Sequence, residues 1–265
     1  MGQQFIVDNK PGAGGVIGTG ELVRSSADGY TLAVVSSNHV INPGVIKSVP
    51  FDSLRDITPI SVLATVPIVL VVHPSLPAKS VADVIAMARA KPGQLDYGSA
   101  GTGSAIHLAG VLFAKEAAID IKHVPYRGTG PLINDLVAGH IKVGFAAVSA
   151  AQPQIEAGTL RALAVSTPKR IAALPDVPSM AEAGLPNYGF DAWIALIGPK
   201  NLPAPIVERL YGEAKAALGS TKMVADLAAQ STTALGMAPA ESAAFFASEL
   251  KKHQELVALS GAKPE

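Results

Sequence analysis

Short apolar runs alternate with helical stripes along this chain, and that alternation constrains the fold more than any other feature of the sequence. Runs bounded by Gly, Pro or Asp predict buried strands, and apolar residues spaced three and four apart predict helices. The predicted strands are 30–35, 60–63, 68–72, 97–99, 121–124, 143–148, 160–165 and 191–197. The predicted helices are 17–23, 80–90, 105–114, 129–138, 206–218, 223–230 and 241–259. Repeated β-turn-α units predict an α/β protein with mainly parallel sheets.

Composition narrows the class of protein. Of 265 residues, 49% are hydrophobic and 5% aromatic, and 21 Lys and Arg balance 21 Asp and Glu. Because no long basic run is present, we exclude binding to nucleic acid or to an anionic membrane surface. The chain has no cysteine, which excludes disulfides, thiolate nucleophiles and Cys-based zinc sites. No apolar stretch reaches the roughly 18 residues of a membrane span.

Three glycine-rich segments carry the signal for a ligand site: residues 11–15, 99–104 and 126–130. Small residues between a strand and a helix let backbone N–H groups face a ligand, and the helix N-terminus favours an anionic oxygen. The middle segment is the richest, because Ser99, Thr102 and Ser104 add hydroxyl groups. Each segment alone can equally be a tight turn with a helix cap. Three of them in one α/β chain predict a cleft at strand C-termini.

Enzyme motifs fail on spacing. The first glycine segment has the spacing G-x-G-x-x-x-G, one residue longer than a dinucleotide fingerprint, and no P-loop occurs. Around Ser99 one glycine of a G-x-S-x-G nucleophile elbow is out of place. We therefore expect a protein that is not an enzyme, with no cofactor and no metal.

Individual side chains leave alternatives open. The six histidines include no pair at metal-ligand spacing, and we expect surface or turn positions for all except His107. His107 lies one turn into the helix after the middle segment and is predicted to reach a ligand. Arg127 can clamp a carboxylate or be solvated. Trp193 is predicted to pack in a core rather than line a cleft.

Taken together, these segments resemble the Bug-type (TctC-like) solute-binding proteins of tripartite tricarboxylate transporters. The matching segments are VDNKPGAGG (7–15), ADGYTL (27–32), YGSAGTGS (97–104), HLA (107–109), VPYRG (124–128), DL (135–136) with Gly139, LPDVPS (174–179) and EAG (182–184). They span nearly the whole chain in order, which makes the set far more specific than any one segment.

The resemblance implies a type II periplasmic-binding-protein fold, a clamshell of two α/β lobes joined by two crossover strands. Lobe one would be residues 1–70 plus 196–265 and lobe two residues 71–195, with crossovers near 69–73 and 192–197. The expected ligand-binding residues of lobe two are Ser99, Gly101, Thr102, Gly103, Ser104, His107, Tyr126, Arg127 and Gly128. Those of lobe one are Ser36, Ser37 and Asn38, in the loop after the predicted 30–35 strand.

One departure from the family concerns the N-terminus. Relatives begin with a strand, a Pro- and Gly-rich loop and a helix, and this sequence starts near the end of that helix. We expect lobe one to lack its first strand-helix unit and, with it, much of its share of the ligand-binding site. Either the start codon is set too late, or the chain is a degenerate cytoplasmic remnant. The first four residues, MGQQ, do not resemble a signal peptide.

The function implied by the resemblance is capture of a small carboxylate by lobe closure and delivery to a membrane transporter, with a periplasmic location and a monomeric state. Dicarboxylates, amino acids and aromatic acids all stay open as ligands. A sensor that passes its ligand state to a signalling partner is the first alternative. A hydrolase on a similar scaffold is the second, disfavoured because no nucleophile-base pair is evident in the sequence.

Overall fold

The computed structural model describes residues 4–262. Its strands are β1 Ala33–Ser36, β2 Ile57–Val66, β3 Ile68–Val72, β4 Asp96–Ser99, β5 Lys122–Pro125, β6 Val143–Ala147, β7 Arg161–Val165, β8 Ala192–Pro199 and β9 Thr233–Ala234. Its α-helices are α1 Val16–Leu22, α2 Asn38–Val45, α3 Val81–Ala90, α4 Ala105–Ala117, α5 Thr129–Ala138, α6 Val148–Glu156, α7 Ala204–Leu218, α8 Thr221–Ala229 and α9 Pro239–Ser260. No helix among these is long and apolar enough to cross a membrane.

The chain divides into two compact units. Unit 1 contains Met1–Thr65, Trp193–Asp226 and Thr233–Glu265, and unit 2 contains Val66–Ala192 and Leu227–Thr232. The ends of the predicted lobe one, residues 1–3 and 263–265, lie outside the described residues. β3 belongs wholly to unit 2, so the chain leaves unit 1 before residues 69–73, the predicted first crossover. The predicted role of the two ranges as ligand-binding lobes stays a prediction.

Unit 1 is built around a four-stranded sheet of order β1-β8-β2-β9. β1 pairs antiparallel with β8, from Ala33↔Ile197 to Ser36↔Ile194. Against the sheet packs a core that contains Trp193, whose ring lies 4.9 Å from that of Phe246 in α9. The indole Nε1 donates a hydrogen bond of 3.1 Å to the buried carboxylate of Glu249. The predicted core position of Trp193 is confirmed.

Unit 2 contains a five-stranded sheet of order β5-β4-β6-β3-β7. β4 is parallel to β5 and β6, whereas β3 is antiparallel to both β6 and β7. Strands β4, β5, β6 and β7 therefore all run in one direction, opposite to β3. The prediction of mainly parallel sheets is wrong for β3 and also for unit 1, where β1 is antiparallel to β8 and β2 to β9. β3 follows β2 after the single residue Pro67, so no crossover helix precedes it.

The predicted buried strand 30–35 is also wrong. β1 starts only at Ala33, and Tyr30 and Val34 are 91% and 65% exposed. Since β1 is at the edge of its sheet and alternates in burial, only one of its faces contributes to the core. The apolar residues Phe5, Ile6 and Val7 likewise lie exposed, outside any strand.

Helices α2 and α6 were absent from the prediction. Each contains an internal proline, Pro43 or Pro153, and proline within a run is normally a signal that a helix ends. At the ends of other helices, local sequence signals were sufficient to predict the structure. The capping box of Ser80 and Asp83 at the start of α3 is confirmed, as is Gly139, whose φ of 73° ends α5 in the left-handed conformation.

A glycine inside α4 allows the helix to approach its sheet closely. A Cβ placed on Gly110 would lie 2.2 Å from Cε2 of Tyr97 in β4. Tyr97 is 3% exposed and its ring packs edge-on against that of Phe145, so a shift of the ring would disturb other buried contacts. Glycine at this position therefore provides space for an aromatic ring directly behind loop 99–104.

We expect Gly110→Ala to destabilise the protein by about 1 to 3 kcal/mol, because it overpacks this contact. The matched control is Gly212→Ala in α7, where a Cβ would meet nothing within 4 Å. That variant should instead gain about 0.5 to 1 kcal/mol, the usual advantage of Ala over Gly inside a helix. Urea unfolding measures both, and a stabilising Gly110→Ala would contradict the packing argument.

Candidate functional site

Two glycine-rich loops meet at one edge of the sheet in unit 2. β4 and β5 are parallel and in register from Asp96↔Lys122 to Ser99↔Pro125, so their carboxyl ends coincide. The loops that follow, 99–104 and 126–130, are joined by two backbone hydrogen bonds. The Tyr126 N–H donates to Ser99 O at 3.0 Å, and the Gly128 N–H to Ala100 O at 3.2 Å. Helix α4 begins directly after the first loop, at Ala105, and α5 begins at Thr129 within the second segment, so both N-termini lie at the same edge.

Loop 99–104 is closed by its own polar groups. The Ser104 Oγ accepts the His107 N–H at 3.1 Å, which caps α4, and donates to Gly101 O at 2.7 Å. Gly101 and Gly103 have φ values of 130° and 73°, which strongly favour glycine. The predicted turn with a helix cap is present, and its two glycines are required by the backbone conformation.

Two histidines pack beneath this loop. The Nδ1 of His107 accepts the Gly103 N–H at 3.0 Å. The His107 and His123 rings stack with their centroids 3.8 Å apart. The Nε2 of His123 lies 2.6 Å from the Ser99 Oγ, which also accepts the Gly101 N–H at 3.2 Å. Sequence reasoning missed this pair, because His107 and His123 are 16 positions apart and only the parallel pairing of β4 and β5 brings their rings together.

Burial keeps both rings uncharged at neutral pH. Desolvation, and to a lesser degree the neighbouring His123, lowers the pKa of His107 to about 3. Desolvation lowers the pKa of His123 to about 4. Since Nδ1 of His107 accepts a backbone N–H, its proton must be on Nε2 in the neutral ring.

A second network fixes loop 126–130. The Tyr126 hydroxyl donates to Oδ2 of Asp135 at 2.9 Å, and Nδ1 of His140 lies 3.3 Å from Oδ1. Burial, with the hydrogen bond to Asp135, raises the pKa of Tyr126 to about 12. The hydrogen bond from Tyr126 lowers the pKa of Asp135, and so does the one with His140. Tyr126 is thus a support of the loop with its hydroxyl already engaged.

The structure separates the predicted ligand residues of unit 2 into three groups by exposure. Ser99, Gly103 and His107 are buried, with His107 under the loop, and the expected contact of His107 with a ligand stays a prediction. Thr102 and Arg127 are exposed. Gly101, Ser104, Tyr126 and Gly128 are partly buried and are used in hydrogen bonds within or between the loops.

The first turn of α5 differs from that of α4. Its N-cap residue, Gly128, has no side chain with which to cap the helix. The first amides of a helix have no carbonyl partner within it, so those of Thr129 and Gly130 are available to an anionic oxygen at this edge. Sequence reasoning named the segment but not these two donors.

In unit 1 the predicted loop Ser36-Ser37-Asn38 does not exist as a loop. Ser36 is the last residue of β1, and α2 starts at Asn38. Ser37 is 2% exposed, and its N–H donates to Trp193 O at 2.9 Å. Ser36 is exposed and Asn38 partly buried, so these two retain accessible polar atoms.

Several histidines expected at the surface are in fact buried. His39 and His253 are 4% and 0% exposed. His39 Nε2 lies 2.8 Å from Ser53 O, and its ring stacks on Phe51. Desolvation lowers the pKa of both histidines. Among residues 4–262, no group of three or more His, Asp or Glu side chains is placed to hold a metal ion.

The fold is that of a periplasmic solute-binding protein. A solved structure described as that of a periplasmic transporter is 37% identical, with a TM-score of 0.84 over 99% of this chain and 88% of the other. The family described as "Tripartite tricarboxylate transporter family receptor" matches residues 1–261. This chain therefore belongs to that family of transporter receptors, as the motifs predicted.

Relatives with informative names extend this result. BugT of Bordetella pertussis is 36% identical over 265 residues, which cover 99% of this chain and 81% of BugT. An R. palustris protein solved with adipate is 34% identical, with a TM-score of 0.85 and coverage of 100% of this chain and 89% of that one. MatC from Rhodopseudomonas palustris, solved with bound malate, is 26% identical, with a TM-score of 0.77 and coverage of 93% and 85%.

The histidine pKa values predict a loss of stability in acid. His107 and His123 bind protons from pH 6.5 downward when unfolded, but only near pH 3 and pH 4 when folded. Between these limits the unfolded state binds more protons, so the free energy of unfolding falls as the pH falls through this window. Replacing His123 by Gln should reduce the slope of the free energy of unfolding against pH, by up to the contribution of about one bound proton.

Denaturant unfolding at a series of pH values from 7 to 4 measures the effect. The control is Thr102→Asn, since Thr102 is exposed and neither Thr nor Asn binds a proton in this pH range. That control should keep the wild-type slope. An unchanged slope in His123→Gln would show that His123 titrates normally in the folded protein.

Proposed function

We propose that this chain captures a small carboxylate at the edge of the unit 2 sheet and delivers it to a tripartite tricarboxylate-type transporter. The observation that carries the proposal is the convergence of the α4 and α5 N-termini on loops 99–104 and 126–130. Two helix N-termini at one edge favour an anion, and a planar carboxylate can accept from donors on both. Adipate and malate in two related structures are both dicarboxylates.

The donors divide by role. We assign ligand contact to the exposed Thr102 and Arg127, and to the amides of Thr129 and Gly130. The predicted contacts Gly101, Ser104, Tyr126 and Gly128 shape the loops and border the site. On unit 1, Ser36 and Asn38 stay candidate contacts. A site that binds its ligand mainly through backbone amides would bind several carboxylates, because the amides contact the carboxylate group and not the rest of the molecule.

Binding, and not catalysis, is the proposed activity. The structure does contain a serine hydroxyl beside a histidine, the Ser99–His123 pair that was not evident in the sequence. Ser99 is 0% exposed, however, and its Oγ is occupied by the Gly101 N–H, so a substrate carbonyl has no approach to it. We interpret the pair as part of the loop's support.

Transport is favoured over sensing, because the matched family is one of transporter receptors. We propose a periplasmic location and a monomeric state on the same ground. Closure of two lobes around the ligand is the expected mechanism, and small-angle scattering with and without ligand would detect it as a decrease in radius of gyration.

The direct test is a thermal-shift and calorimetric titration with adipate and with malate. A ligand at 100 times its Kd should stabilise the protein by about 2.7 kcal/mol, so the melting temperature should rise with ligand concentration. The matched control is adipamide, which has the chain length of adipate without its charge. No shift with any member of a panel of mono-, di- and tricarboxylates would refute the proposal.

A negative charge introduced by substitution at Thr102, which is exposed in loop 99–104, offers a second test. Thr102→Asp should weaken carboxylate binding about tenfold or more through like-charge repulsion, while Thr102→Asn, which has the same shape, should bind within about threefold of wild type. Thr102 is exposed, so neither variant should change the unliganded melting temperature much. Equal affinities in the two variants would remove Thr102 from the site.

A further inference from the structure

We propose that His107 and His123 are positioning residues, a stacked pair that fixes loop 99–104 in its ligand-binding conformation without contacting the ligand. This inference rests on the proposed function of the loop. It differs from the sequence-based expectation, in which His107 was itself a ligand contact.

The first step concerns the amide of Gly103. At a φ of 73° this N–H points into the protein, and it donates to Nδ1 of His107 at 3.0 Å. Both partners are buried, so without the imidazole acceptor the amide would be an unpaired buried donor. His107 thereby selects the turn in which the Gly103 amide faces inward.

The second step concerns Ser99 and the single hydrogen of its hydroxyl group. The Gly101 carbonyl already accepts from Ser104 Oγ at 2.7 Å. The Ser99 Oγ has two acceptors within reach, Gly101 O at 3.2 Å and Nε2 of His123 at 2.6 Å. The shorter contact favours donation of its hydrogen to His123, while its oxygen accepts the Gly101 N–H. His123 in this way orients the hydroxyl that holds the other end of the loop.

The third step is the rigidity of the pair. The two rings lie face to face, 3.8 Å apart. Tyr97 stacks on His107 at 6.5 Å and is tilted against His123 at 5.2 Å, and its own ring fills the space that Gly110 in α4 leaves open. Each ring is thus held by its neighbours in one orientation, and one nitrogen of each is directed at the loop.

The consequence concerns which donors reach the ligand. The amides of Gly101 and Gly103 both point inward, to Ser99 and His107. Thr102, between them, is exposed. Loss of either histidine acceptor would free the loop to reorient and would weaken binding without removing any ligand contact.

The test compares two variants of His107 that carry side chains of similar size. The quantity measured is the Kd for adipate or malate, whichever binds the wild-type protein. Asn places an acceptor oxygen close to the position of Nδ1, and Leu fills similar space without an acceptor. We expect His107→Asn to bind within about threefold of wild type, and His107→Leu to lose about tenfold or more, as an unpaired buried amide implies. The titration is done well below the melting temperature of each variant.

The same comparison applies to His123. Gln places a polar group near the position of Nε2, and Leu does not, so His123→Gln should keep most of the affinity that His123→Leu loses. A merely structural role predicts a different pattern, in which the Leu variants melt at lower temperature but bind with the wild-type Kd when folded. That pattern would overturn the proposal, as would equal losses in the Asn and Leu variants of His107.

A measurement on wild type keeps the inference testable if the Leu variants do not fold. Nitrogen-15 NMR of the histidine side chains should show His107 as the tautomer with its proton on Nε2, and the Gly103 amide as hydrogen-bonded. A proton on Nδ1 would overturn the proposal. The NMR result does not depend on a ligand, whereas failure of wild type to bind any carboxylate would refute the proposed function instead.

Discussion

The parallel register of β4 with β5 is the constraint on which the candidate site depends. Pairing Ser99 with Pro125 makes both strands end at the same level, so both loops and both helix N-termini arrive together. It also brings His123 under the loop that follows β4. A shift by one residue would turn Ser99 and His123 to opposite faces, because side chains alternate along a strand. The hydrogen bonds of loop 99–104 would then be lost.

The candidate site combines an aromatic layer beneath loop 99–104 with a polar edge above it. Beneath loop 99–104, Tyr97, His107 and His123 form a packed aromatic layer in which burial keeps both imidazoles uncharged at neutral pH. Above it, amides at two helix N-termini offer partial positive charge. Uncharged imidazoles can accept hydrogen bonds, which protonated ones cannot do at the same nitrogen. Acid would therefore disturb both stability and loop geometry.

Local sequence signals predicted much of the fold. The capping box at Ser80, the stripe of α5 and the run of β3 were each confirmed, because each is decided by residues within one turn or strand. The errors have a common cause in tertiary context. Packing sustains α2 and α6 in spite of Pro43 and Pro153, and position at a sheet edge leaves Val34 exposed.

The sequence by itself determined the α/β class, the family and the two glycine segments of the candidate site, since glycine spacing and helix caps are local properties of the backbone. Only the tertiary structure decided the roles within that site. It placed Ser99 and His107 below the surface, joined His107 to His123 across 16 positions of sequence, and left Thr102 and Arg127 exposed. The reason is physical: strand pairing and burial determine which polar atom meets solvent, and neither is a property of the residue type.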